Sequence, residues 1–278
     1  MESPIIQPAE LLELNPEEFV LIDASAGSKA RYDESHLSGA FYADVNTDLA
    51  NIGDFAIGGR HPLPTLEQFA IVLQKFGITK NSHVIVYDDK NAANAAARFW
   101  WMLKAIGHQK VQVLNGGFNA AIEAGFTTNA ALPVANKAGH YNITNWSLPL
   151  ADINEVEEAS KTGSQTIVDV RDANRYAGLT EPIDLIAGHI PNAINIPFTE
   201  NLDKNGFFLA PEILKQKYQA AFGKVTTENI IVHCGSGITA CHTLLAMNYA
   251  NLQIPKLYVG SWSEWSRNEK EMVLAPKS

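Results

Sequence analysis

The chain is short of cysteine: among 278 residues only Cys234 and Cys241 occur. Two thiols cannot build a disulfide framework, and the scarcity predicts a reducing, cytoplasmic setting. Their C-x6-C spacing is no zinc pattern and no CxxC is present, so neither a metal nor another cofactor is expected. Long apolar runs are missing too, which argues against a membrane-spanning helix. The opening Met1-Glu2-Ser3-Pro4 lacks the basic and apolar stretches of a secretory leader, so none is expected. Positive charge is outnumbered, with 21 Lys and Arg against 30 Asp and Glu. That balance speaks against general binding to nucleic acid or anionic membranes, while leaving room for a small cationic pocket. What remains is a globular composition, 46% apolar and 18% charged, long enough for two domains with separate cores.

The most informative stretch is Ile230-Ile231-Val232-His233-Cys234-Gly235-Ser236-Gly237-Ile238-Thr239. Its β-branched run reads as a buried strand that ends at a cysteine, and the pattern turns helical through Thr243, Leu244, Leu245 and Met247. A thiol is thereby placed before the amino end of a helix, where unpaired N–H groups and the helix dipole favour an anion. Gly235 and Gly237 are expected to let the backbone curl into a cradle of N–H groups. A buried structural cysteine is the alternative reading, and the Gly-Ser-Gly turn tips the balance toward a nucleophile. A cysteine phosphatase would need an arginine six residues after its nucleophile to clamp phosphate; here Ala240 stands there.

The chain also repeats itself. Leu21-Ile22-Asp23-Ala24 resembles Val168-Asp169-Val170, and Val84-Ile85-Val86-Tyr87-Asp88 matches Ile230-Ile231-Val232-His233-Cys234, with Asp23 and Asp169, and likewise Asp88 and Cys234, 146 positions apart. Arg31-Tyr32 before His36-Leu37-Ser38-Gly39 parallels Arg175-Tyr176 before Gly188-His189-Ile190-Pro191. Leu114-Asn115-Gly116-Gly117-Phe118 echoes Tyr258-Val259-Gly260-Ser261-Trp262. Each half alternates strands with helical segments, which predicts an α/β fold: a mostly parallel sheet with helices on both faces. Helices are expected over Thr65–Phe76, Ala92–Ile106 and Pro211–Phe222, the first opened by a Thr65/Gln68 capping box. Pro133–Leu150 has no helical period and reads as a linker. The expected organisation is therefore a domain over 1–135, a linker over 136–150 and a catalytic domain over 151–278. Where the second half carries Cys234 the first carries Asp88, so the chemistry is expected in the second half alone.

In this order and spacing, the motifs resemble the tandem-domain rhodanese family of sulfurtransferases over nearly the whole chain. Cys234-Gly235-Ser236-Gly237-Ile238-Thr239 is similar to the 3-mercaptopyruvate branch, usually Cys-Gly-Ser-Gly-Val-Thr. The thiosulfate branch places Arg and Lys where Gly235 and Ser236 stand. Gly188-His189-Ile190-Pro191, Asn195-Ile196-Pro197-Phe198 and Gly260-Ser261-Trp262-Ser263-Glu264-Trp265 resemble further family motifs. The resemblance implies two rhodanese-like domains and sulfane-sulfur transfer through a Cys234 persulfide, as covalent catalysis in two steps. It implies a small anionic donor, 3-mercaptopyruvate by preference, and a thiol or cyanide acceptor, which includes a protein thiol such as that of thioredoxin. Thiosulfate:cyanide sulfurtransfer and a persulfide carrier without turnover are the competing readings.

Site residues follow from the same resemblance. Arg175 matches the family's substrate arginine, and Arg171 is expected to brace the same region; pairing with Asp169, Asp172 or Glu181 is the alternative for both. Loop residues Gly235, Gly237, Ile238 and Thr239 are expected to contact the donor. His61, in Arg60-His61-Pro62-Leu63-Pro64, falls where that branch carries a histidine, and with Ser236 and a carboxylate, Asp44, it could relay a proton. One departure stands out: that branch often has a second arginine after Glu-Pro, whereas Glu181-Pro182 is followed by Ile183, Asp184 and Leu185. Asp184 could repel an anionic donor, and Arg60 could supply the absent cation. Phe99, Trp100, Trp101, Trp262, Trp265 and His233 read as packing; Cys241 reads as packing or as a resolving thiol.

Overall fold

A computed structural model describes residues 3–274. The chain is α/β and falls into two units, each built on a five-stranded, all-parallel sheet flanked by helices. The first unit holds the residues through Ala50, then Pro64–Leu148 and Lys204–Phe208. The second holds Asn51–Leu63, Pro149–Asp203 and the chain from Leu209 on. Residues 51–63, which include Arg60 and His61, thus pack with the second half.

In the first unit the strands are β1 (Ile5–Ile6), β2 (Phe19–Asp23), β4 (Phe41–Tyr42), β5 (His83–Tyr87) and β6 (Val111–Leu114), in the order β1-β6-β5-β2-β4. A short antiparallel pair, β3 (His36–Leu37) with β7 (Thr128–Asn129), stands apart. Helices α1 (Pro8–Glu13), α2 (Lys29–Glu34), α3 (Leu66–Lys75), α4 (Ala96–Ala105) and α5 (Gly117–Glu123) complete it. The second unit has β8 (Leu150–Ala151), β9 (Thr166–Asp169), β10 (Ile194–Asn195), β11 (Ile230–His233) and β12 (Lys256–Tyr258), ordered β10-β9-β11-β12-β8. Its helices are α6 (Ile153–Thr162), α7 (Ala173–Tyr176), α8 (Pro211–Phe222), α9 (Ala240–Tyr249) and α10 (Ser261–Trp265). Read from opposite edges, the two strand orders coincide, with β5 and β11 both central. The sequence repeat is therefore a repeat of topology.

Local chemistry accounts for the elements. The runs Val84-Ile85-Val86-Tyr87 and Ile230-Ile231-Val232-His233 are buried throughout, as a central parallel strand covered on both faces requires. Thr65 caps α3 by accepting the Gln68 N–H while the Gln68 side chain accepts the Thr65 N–H. Helix α8 begins at Pro211, whose missing N–H costs nothing in a first turn. From Ala240 to Met247, α9 is buried on every side, in keeping with a mainly apolar composition in which His242 and Thr243 are the polar residues. Segment 133–148 forms no helix; Trp146 packs on Phe69 and Trp101, and Ser147 donates from its N–H to the Ala105 carbonyl. Phe99, Trp100 and Trp101 are fully buried.

One expected boundary shifts. The periodicity from Ala92 predicts a helix there, yet α4 starts at Ala96. The Asp88 carboxylate accepts the N–H groups of Lys90 and Ala92 on Oδ1, and of Asn94 and Ala96 on Oδ2, at 2.9–3.1 Å. Those donors are held in a loop that wraps the carboxylate, with Asn91 and Ala92 at positive φ, so the helical turn cannot begin earlier.

Candidate active site

Strand β11 delivers Cys234 to the carboxyl edge of the sheet, the edge at which open α/β sheets bind ligands. Cys234 is buried, its residue only 3% exposed. Three bonds pin the backbone of Cys234 and Gly235: the Cys234 N–H donates to Ser261 Oγ (3.2 Å), the Trp262 N–H donates to the Cys234 carbonyl (3.0 Å), and the Ser263 N–H donates to the Gly235 carbonyl (2.9 Å). Ser261 adopts φ +54°, sparsely populated for a residue with a side chain, and its hydroxyl also donates to the Tyr258 carbonyl. The N–H groups of Gly235, Ser236, Ile238 and Thr239 have no partner among the described residues.

The two loop glycines serve different ends. Gly237 has φ +75°, and a Cβ there would stand 2.5 Å from the Val259 carbonyl oxygen, so the turn requires glycine. Gly235, expected to share that conformation, does not take positive φ. Its lack of a side chain matters for a different reason: a Cβ would lie 3.1 Å from Arg60 Nη2, 3.4 Å from Arg175 Nη2 and 3.6 Å from Asp184 Oδ2. Ile238 is buried and Thr239 half-buried at the start of α9.

His61 Nδ1 lies 2.8 Å from Ser236 Oγ, which places an imidazole on the hydroxyl two residues beyond the thiol. The segment that carries His61 is held by Glu264 Oε1, which accepts the Gly58 N–H (2.7 Å), and by Asn268 Nδ2, which donates to the Ala56 carbonyl (3.0 Å). Asp44 belongs to the first unit, where its Oδ1 accepts the N–H groups of Asn46 and Thr47 and closes a local turn.

The cations form one network. Arg60 binds Asp184 through Nε (3.0 Å) and Nη2 (3.2 Å). Arg175 binds Glu181 through Nε (3.3 Å) and Nη2 (2.7 Å), and Nη2 also lies 3.5 Å from Asp184. Arg267 Nη1 reaches Asp184 at 3.2 Å. Arg171 is fully enclosed: it donates to Asp169, to Glu181 and to the Gly188 carbonyl, with its guanidinium 4.9 Å from the Trp262 ring. It braces the cluster from within. Asp184, which the sequence marks as a possible repellent, instead gathers three guanidinium groups; sequence reasoning missed this role and missed Arg267, because Arg60 and Arg267 lie 124 and 83 residues from Asp184.

Electrostatics fit these pairings. Burial alone would raise Glu181, but hydrogen bonds from Arg175 and from the N–H groups of Asp184 and Ile183, together with the Arg175 charge, hold it below the usual carboxylate range. Asp169 is likewise held low against its burial by the neighbouring His233 and Arg171. Burial pushes His233 down, and its packed ring meets the Cys234 carbonyl through Nδ1 at 3.2 Å. Cys241 is fully buried, its Sγ 3.3 Å from the Gly237 carbonyl. Among the described residues no group of three or more His, Cys, Asp or Glu could hold a metal ion, and no helix is long and apolar enough to cross a membrane.

Comparison with known proteins gives consistent matches. A family profile described as "Rhodanese-like domain" matches twice, over residues 7–124 and 152–268. The probable 3-mercaptopyruvate sulfurtransferase of Pseudomonas aeruginosa is 37% identical, over 92% of this chain and 89% of that protein. The thiosulfate sulfurtransferase of Mus musculus is 32% identical, over 86% of this chain and 80% of that protein. Among solved structures, the 3-mercaptopyruvate sulfurtransferase from Leishmania major superposes with a TM-score of 0.83 at 28% identity, covering 95% of this chain and 74% of that one.

Proposed function

Because the chain belongs to the rhodanese-like domain family, we propose that it is a sulfurtransferase that moves sulfane sulfur from 3-mercaptopyruvate to a thiol or cyanide acceptor through a persulfide on Cys234. The observation that carries this reading is the 2.8 Å contact between His61 and Ser236 beside the Cys234 loop. It is a proton source where one donor needs a proton and the other does not.

In the first half-reaction the Cys234 thiolate attacks the donor sulfur. The carbon–sulfur bond breaks, its electron pair stays on carbon, and pyruvate leaves as its enolate. Ser236 passes a proton to that carbon and recovers one from His61, so free pyruvate departs. The proton of the donor thiol, released as the persulfide ionises, restores the pair. An acceptor thiolate, such as that of thioredoxin, or cyanide then takes the outer sulfur and returns Cys234 as a thiolate. Dividing the transfer into two steps predicts ping-pong kinetics. With thiosulfate the sulfur–sulfur bond breaks and sulfite leaves with the electron pair, with no proton required.

The first unit supports an anion in this position. Its Asp88 loop occupies the place of the Cys234 loop and holds a carboxylate on the N–H groups two, four, six and eight residues on. The Ser236 and Ile238 N–H groups stand two and four residues beyond Cys234 and would receive a thiolate or persulfide in the same way. Arg175 would hold the donor's carboxylate, Arg60 would add a second cation, Gly235 would leave room for both, and Gly237, Ile238 and Thr239 would shape the turn.

Replacing His61 by Gln separates the donors. Turnover of mercaptopyruvate should fall about 100-fold or more, the ordinary worth of a positioned proton donor, while thiosulfate turnover stays close to wild type. An equal fall with both donors would give His61 a structural role. A wild-type kcat/KM that clearly favours thiosulfate would overturn the choice of donor.

A further inference from the structure

We propose that Asp184 is a positioning residue that turns Arg60 and Arg175 into a paired anion clamp above Gly235, and that this clamp sets the enzyme's grip on the donor's carboxylate. The proposal rests on the functional reading above and adds to it the group that aims the cations. Asp184 has a fully buried side chain. Its Oδ1 accepts from Arg60 Nε and Arg267 Nη1, while its Oδ2 accepts from Arg60 Nη2 and lies 3.5 Å from Arg175 Nη2.

The geometry fixes which edge of each guanidinium is spent. Arg60 uses Nε and Nη2 on Asp184, and Arg175 uses the same two atoms on Glu181. In both, Nη1 has no partner among the described residues, and both side chains are 18% exposed, so a ligand can reach them. Their Nη2 atoms stand 3.1 and 3.4 Å from where a Cβ on Gly235 would be, one residue past the nucleophile. Two cations locked by bidentate carboxylates, each with an open N–H edge, form a site for a planar group with two oxygens. The cluster of Arg60, Arg171, Arg175 and Arg267 meets three carboxylates, Asp169, Glu181 and Asp184, which leaves one positive charge for a monocarboxylate.

Arg267 fastens the arrangement to α10: its Nη1 also donates to the Ser263 carbonyl at 2.7 Å. Asp184 comes from the loop after α7 and Arg60 from segment 51–63, so the carboxylate ties three separate stretches together. Without it, three guanidinium groups would crowd one another and splay. The loss of orientation then outweighs the gain in net positive charge, and anions bind less well.

The test compares wild type with Arg60→Gln, Asp184→Asn and Asp184→Glu, by KM and kcat for 3-mercaptopyruvate and by the dissociation constant of pyruvate in an NMR titration. Arg60→Gln and Asp184→Asn should raise KM and the pyruvate constant about 10- to 100-fold, the range of one lost hydrogen bond to a charged group, with little change in kcat. Asp184→Glu keeps the charge and should recover part of the loss. An unchanged or lowered KM in Asp184→Asn, or a fall in kcat at constant KM, would overturn the clamp. If wild type bound pyruvate in a manner dependent on Arg60 and Asp184 yet turned over no mercaptopyruvate, the clamp would stand and the donor assignment would fall.

Discussion

Asp88 and Cys234 stand at the carboxyl ends of corresponding central strands, and their loops are pinned alike: the Phe118 N–H donates to the Asp88 carbonyl, the Trp262 N–H to the Cys234 carbonyl. The residue before each of those donors is left-handed. In the first unit it is Gly117, where a Cβ would sit 2.2 Å from the Asp88 carbonyl oxygen. In the second it is Ser261, whose hydroxyl takes the Cys234 N–H and so offsets an unfavourable φ. The loops part company at the side chain they enclose. Asp88 satisfies its own loop with four N–H bonds and is fully buried, so nothing is left for a ligand. Cys234 leaves its neighbours' N–H groups open beside a cluster of arginines. One loop is closed on its own carboxylate, and the other keeps N–H groups without a partner among the described residues.

Exchanging side chains at the two equivalent positions is the sharpest way to break this comparison. Cys234→Ser should abolish sulfur transfer and leave thermal unfolding nearly unchanged, as assayed by sulfide or thiocyanate release beside a melting curve. Appreciable turnover would mean that another group carries the sulfur. Asp88→Ala should do the reverse: it strands the buried N–H groups of Ala92 and Ala96 and should cost about 3 kcal/mol in urea unfolding. Neutral stability in that variant would show that the first loop is not organised by its carboxylate.

Arg175→Ala comes next in size. It should raise KM for mercaptopyruvate by the equivalent of about 1.5–3 kcal/mol, the worth of a hydrogen bond to a charged group. An unchanged KM would make the Glu181 ion pair its whole role.

The smallest effect lies in pH. Burial pushes Asp88 up to about 6 against the pull of its N–H donors, above its unfolded value. Its contribution to stability is therefore complete below the ordinary carboxyl value and is lost as pH rises through about 6. Asp169 and Glu181 are held low, so theirs is present above the ordinary value and lost as pH falls through their lowered ones. The penalty of Asp88→Ala should consequently shrink by about 2 kcal/mol between about pH 4 and about pH 7. A penalty that grows over this range would contradict the assignment.

Much of the molecule is readable from local pattern. The β-branched runs before Asp88 and Cys234 mark the central strands, Thr65 with Gln68 marks the start of α3, and the repeat reveals a duplicated topology. These features depend on neighbours in sequence, which is why spacing exposes them. What escaped depends on distant groups. Segment 51–63 joins the second unit because Glu264 and Asn268 hold it, more than 200 residues away. Asp184 reads as an isolated negative charge until Arg60 and Arg267 are seen around it. The late start of α4 follows from one carboxylate collecting four N–H groups, a competition that helical periodicity cannot register.

The most direct test of the open-loop account is mass spectrometry of the protein after incubation with 3-mercaptopyruvate and no acceptor. One added sulfur atom on the peptide that contains Cys234, removed by a thiol and absent in Cys234→Ser, is the result expected. Sulfur carried on Cys241, or none on Cys234 while pyruvate is still released, would contradict it.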